Sequence, residues 1–125
     1  MERESAVPEQ ERVTVELVGL RADNRPIVVH FNSEDGLWTP GERIGARGSL
    51  LCSFFRELIP PPADHGTVLI RWPAVDDESQ LEPAVRLWGH SGEEWRLDKD
   101  ARGGWQLIRG LPGEPLTLTY HFRAP

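Results

Sequence analysis

Cysteine and lysine are nearly missing from this chain. Cys52 is the single cysteine in 125 residues, which excludes an intrachain disulfide and a thiolate metal cluster. Lys99 is the single lysine among 14 basic residues, a bias that reads as genome composition rather than function. Long apolar runs are missing too, and none approaches the roughly 20 residues that a membrane-spanning helix needs. The opening residues Met1-Glu2-Arg3-Glu4-Ser5 lack the apolar stretch of a secretory signal. A cytoplasmic location away from membranes is therefore the expectation. Excess positive charge is the fourth absence. A net charge of −6 weighs against nucleic-acid binding, which needs clustered Lys and Arg to neutralise phosphates.

Motifs that carry chemistry are also scarce. Gly89-His90-Ser91-Gly92-Glu93 approaches a nucleophile elbow, but Glu93 stands where the second glycine must be and no helical pattern follows. It reads as a turn between strands. Asp98-Lys99-Asp100-Ala101-Arg102 opens like a calcium loop, yet Arg102 takes the third ligand position and Arg109 the last, so a cation would repel it. Asp76-Asp77-Glu78 reads as a solvated acidic run. His30, His65, His90 and His121 are far apart and show no short metal-ligand spacing. Cys52 would need a base brought to it by the fold. No phosphate loop or dinucleotide fingerprint is present. The expectation is a protein that is not an enzyme and takes no cofactor or metal.

What the chain does have is alternation. Leu116, Leu118, Tyr120 and Phe122 alternate with Thr117, Thr119, His121 and Arg123, a period of two that marks a strand with one buried face. Four of the five tryptophans fall in this second half: Trp72, Trp88, Trp95 and Trp105. Parity places Trp72, Trp95 and Trp105 beside aliphatic neighbours, hence in a core. If Val85 and Leu87 point in, Trp88 points out beside Arg86, although a one-residue slip reverses this. Arg71, Arg86, Arg96, His121 and Arg123 also take outward positions. They form either a basic-aromatic patch or ordinary solvated strand faces.

The first half is less regular. Residues 1–11 are polar and acidic and read as a disordered tail ahead of a single β-rich domain at 12–125. Val13, Val15 and Leu17 alternate with Thr14 and Glu16 in a strand. A second strand at 27–31 follows a turn, so the two are expected to form a hairpin. Residues 32–48 read as a loop, on which Trp38 either anchors a ligand or plugs the edge of the core. Residues 49–58 read as the one short helix, with Leu50, Leu51, Phe54, Phe55 and Leu58 at helical spacing and Pro60-Pro61-Pro62 as its stop.

The order Val68-Leu69-Ile70-Arg71-Trp72, Ala84-Val85-Arg86-Leu87-Trp88-Gly89, Gly104-Trp105-Gln106-Leu107 and Leu118-Thr119-Tyr120-His121-Phe122 resembles early-set immunoglobulin-like domains. It is similar to the glycogen-binding type and to the N-terminal domain of enterochelin esterases. The likeness covers residues 67–123 and carries over no catalytic residue. It implies an accessory or recognition role, with Trp88 and Trp95 as sugar platforms.

The expected fold is mostly β, an immunoglobulin-like antiparallel β-sandwich with one short helix. The expected function is a non-catalytic binding module, with carbohydrate as one ligand class and Trp88, Arg86, Trp95, Trp38 and Arg71 as candidate binding residues. The alternative is a protein-interaction or assembly domain in which a Trp/Arg patch is the hot spot. A homodimer through an edge strand belongs to that second reading.

Overall fold

Alternation decides the first strand. In the computed structural model Val13, Val15 and Leu17 are fully buried while Arg12 and Val18 are exposed. This strand, β1, runs Gln10–Val18. It begins earlier than expected, so Gln10 and Glu11 belong to the sheet rather than to a tail. The others are β2 (Val28–Ser33), β3 (Gly36–Leu37), β4 (Thr39–Ala46), β5 (Ser49–Glu57), β6 (His65–Trp72), β7 (Ala84–Trp88), β8 (Arg96–Leu97), β9 (Trp105–Ile108) and β10 (Leu116–Arg123).

The structure describes residues 9–19, 27–34, 36–46, 48–72, 84–98, 105–108 and 116–125, and for 72, 105–108 and 116 the backbone alone. The tail at 1–8, the turn at 21–26, the acidic run at 76–78 and most of the calcium-like loop lie outside the described residues. So do the directions of the Trp72 and Trp105 side chains.

Two antiparallel sheets result. One has four strands in the order β4-β5-β1-β7. The other has six, in the order β3-β2-β6-β10-β8, with β9 also paired to β10. Together they make a β-sandwich, as expected. Val13, Val15, Leu17, Leu50, Cys52, Phe54 and Leu87 of the first sheet share one core cluster with Val29, Phe31, Val68, Ile70, Leu118, Tyr120 and Phe122 of the second. Phe31 stands at the centre of the aromatic contacts. Its ring centroid lies 4.9 Å from that of Trp38 and 6.2 Å from those of Phe54 and Trp95. Gly66 faces the same ring, and a Cβ there would press on Phe31 and on the Asn32 carbonyl.

Three expectations need correction. Residues 49–58 are not a helix. They form β5, paired along nine residues with β1, from Gln10↔Glu57 to Val18↔Ser49. Leu50, Cys52 and Phe54 enter the core, while Leu51 and Phe55 are half-buried on the other face. A strand that is apolar on both faces imitates helical spacing, and pairing with two neighbours decides the outcome.

The expected hairpin of the first two long strands does not form either, because β1 pairs with β5 and β7 while β2 pairs with β3 and β6. Residues 32–48 are largely strand rather than loop. All eight residues of β4 are exposed, so no burial alternation marks them. The register of β4 shifts between Pro40 and Arg43. Proline and a bulge are common on edge strands, where they hinder pairing with another chain.

Candidate functional site

The outer face of the four-stranded sheet follows from the registers. Thr14 lies opposite Ser53 and Trp88, and Glu16 opposite Leu51 and Arg86. Leu51 faces Ile44, Arg12 faces Phe55, and Val18 faces Ser49 and Ala84. This face therefore carries Ile44, Leu51, Val18, Phe55 and Trp88 among charged and polar groups of both signs. Ile44 is 50% exposed.

Leu87 points in, so of the two directions left open for Trp88 the outward one holds, and the ring is half-buried. The Arg86 guanidinium lies 4.9 Å from the centroid of its ring. Arg86 also donates two hydrogen bonds to Glu94, Nε to Oε2 at 3.0 Å and Nη2 to Oε1 at 2.9 Å. An isolated bridge between Trp88 and Glu94 brings that carboxylate alongside. The bonds from Arg86 hold the Glu94 carboxyl below the usual range, and the bonds to Glu94, helped by Glu16, hold Arg86 above its own.

Next to Trp88, the Arg12 guanidinium donates to Ser53 Oγ at 3.3 Å and sits 5.8 Å from the centroid of Phe55. Gly41 closes over the same ring, where a Cβ would collide with Phe55. Together they cover Ser53 and half-cover Phe55.

The other candidate residues do not join Trp88 and Arg86. Trp38 is 8% exposed and Trp95 is 3% exposed, both within the core cluster. Trp38 plugs the core. Its Nε1 donates to Ser33 Oγ at 2.9 Å, and the Arg56 guanidinium stacks 4.6 Å from its centroid. Trp95 donates its backbone N–H to the Leu87 carbonyl at 2.8 Å, and Gly89 packs against its indole. Arg71 is exposed but lies on the six-stranded sheet, opposite Val28 and Thr117. The outward set of Arg71, Arg86, Arg96, His121 and Arg123 is thus split between sheets.

A second polar cluster occupies one end of the sandwich. Glu11 is 0% exposed. It accepts from Arg56 Nε at 2.8 Å and from the Ala63 amide at 2.7 Å. Arg56 Nη1 donates to Ser33 Oγ at 3.2 Å. Above this network lies a cavity of about 600 Å³, walled by Leu37, Ile59 and the three prolines. Leu37 is 86% and Ile59 67% exposed. At its rim His65 Nδ1 lies 2.7 Å from Asp64 Oδ1 and His65 Nε2 lies 2.7 Å from Glu34 Oε2.

Sequence reasoning missed Arg12, Phe55, Glu94 and this end cluster. A signal for the cluster existed, because Glu11 continues the inward series of Val13, Val15 and Leu17. Among the described residues no group of three or more His, Cys, Asp or Glu is arranged to hold a metal ion.

Comparison with known protein families, curated proteins and solved structures finds no match for this chain.

Proposed function

We propose that this chain is a protein-interaction domain, an immunoglobulin-like sandwich that presents the outer face of its four-stranded sheet to a partner protein. The observation that carries the reading is the Trp88 site. One tryptophan lies on that face with Arg86 stacked on its ring and fixed by Glu94. Tryptophan and arginine are the residue types that dominate interface energetics when water is excluded around them. Ile44, Leu51, Val18 and Phe55 supply apolar area beside them, and Arg12, Glu16 and Glu94 supply charge of both signs for orientation. The face, rather than the β4 edge, is the favoured contact, since Pro40 and the bulge hinder edge pairing.

Carbohydrate binding has less support. Stacking on a sugar ring needs an open aromatic face. Trp38 and Trp95 are inside the sandwich, and one face of Trp88 already meets a guanidinium.

The test is a photo-crosslinker placed at Thr14 in cells, compared with the same protein carrying Trp88→Ala and Ile44→Asp. A discrete crosslinked protein, or a crosslinked second copy, that the double variant loses supports the proposal. Tryptophan fluorescence titrated with soluble glucans is the counter-test. A saturable change lost in Trp88→Ala would assign the face to sugar instead.

A further inference from the structure

His65 stands where two cavities meet. The larger is the 600 Å³ space beside the prolines. The smaller, about 330 Å³, is lined by Asn32, Thr67, Asp98 and His121 among others. Glu34 and His65 line both. We propose that the Glu34–His65–Asp64 bridge is a proton-operated latch across the exposed lip that these two open clefts share.

The latch follows from the two bonds. Both ring nitrogens of His65 face a carboxylate at 2.7 Å. Only the doubly protonated imidazolium can donate to both at once. A neutral ring keeps one N–H for two carboxylates, so one bond is lost.

Anchoring decides which bond that is. Asp64 adjoins His65 in the chain, and its carbonyl accepts the Ala124 amide at 2.7 Å. The Ala63 amide beside it is held by buried Glu11. Glu34 lies in the turn between β2 and β3, where β3 has only two residues. The Glu34 contact therefore releases, and the two open clefts join along that lip.

Other charged groups surround the latch without replacing it. On β10, opposite His65, Arg123 pairs with Asp98 at 3.4 Å. His121 Nδ1 shares a hydrogen bond with Thr67 Oγ1 at 3.2 Å. From β5, Arg56 is bonded to Glu11 and Ser33, and Glu57 lines the larger cavity. Asp35 lies outside the described residues.

The hydrogen bonds to Asp64, first, and to Glu34 raise the His65 pKa above its ordinary 6.5. A raised folded-state pKa means that the stabilising contribution is complete below the unfolded value and is lost as pH rises through the folded one. The latch is closed at low pH and opens as pH rises through the His65 midpoint.

NMR titration of the histidine rings tests this, combined with relaxation of the Gly66 amide by a neutral nitroxide cosolute. Gly66 is buried and lines the smaller cavity. The expected results are a His65 midpoint above 6.5 and a Gly66 relaxation that increases with the same midpoint. In Glu34→Ala, on an exposed turn, the His65 midpoint falls and Gly66 relaxation is already high at low pH. A His65 midpoint at or below the ordinary value overturns the proposal. So does a Gly66 signal that ignores the His65 titration, or one that Glu34→Ala leaves unchanged.

Discussion

Two arginine–glutamate pairs, each beside a tryptophan, occupy opposite settings in this molecule. At the end of the sandwich Arg56 meets fully buried Glu11 at 2.8 Å and lies 4.6 Å from the Trp38 centroid. On the outer face Arg86 meets Glu94 at 2.9 Å and lies 4.9 Å from the Trp88 centroid. The groups and spacings are nearly the same, and only the access of water differs. Water screens the outer pair and substitutes for either partner, so that pair adds little to stability. The inner pair has no such substitute, because removing one partner strands the other charge in a poorly solvated place. The same chemistry thus fixes the fold in one setting and stands ready for a partner in the other.

The largest test of this contrast is Arg56→Ala. It leaves Glu11 buried without its ion partner and should cost about 3–5 kcal/mol in denaturant unfolding. A cost as small as that of an exposed pair would break the comparison.

The tryptophans sharpen it. Trp38→Ala empties a core site beside Phe31 and should cost about 3 kcal/mol or more. Trp88→Ala removes a half-buried ring and should cost about 1 kcal/mol by the same unfolding measurement. Near-equal costs would mean that Trp88 supports the core as much as it serves the surface.

The smallest effect on stability is expected from Arg86→Ala. Its melting temperature should match the wild type, while crosslinking from Thr14 weakens. A clear drop in melting temperature would assign Arg86 a structural role.

The sandwich was legible in the sequence wherever one strand face met water. β1 and β10 show this, with Val13, Val15 and Leu17 in one and Leu118, Tyr120 and Phe122 in the other. It was illegible where the two faces are alike. β5 is apolar on both, since Leu51 and Phe55 are half-covered by outer-face neighbours, and its doublets Leu50-Leu51 and Phe54-Phe55 therefore copy a helix. β4 is exposed on both, so its residues looked like a loop.

The candidate site was half legible. Parity put Trp88 and Arg86 outward only if Val85 and Leu87 point in, and the inward burial of Leu87 settles that condition. Glu94 required knowing that the chain folds back beside β7. Parity placed Trp95 beside aliphatic neighbours in a core, where it lies, whereas the burial of Trp38 required knowing which strands cover it. The buried pair had a local trace in each strand, since Glu11 falls on the inward parity of β1 and Arg56 on that of β5. The trace in β5 becomes visible only once that segment is read as a strand.

Cys52 belongs to the inward row of β5, opposite Val15. Burial pushes its thiol pKa up, against a smaller pull from Arg43, so the reactive thiolate is scarce in the folded protein. The chain therefore carries its own integrity gauge. A thiol reagent reacts at Cys52 at a rate set by how often β5 parts from the core, which lets the folded fraction be counted chemically without any added label.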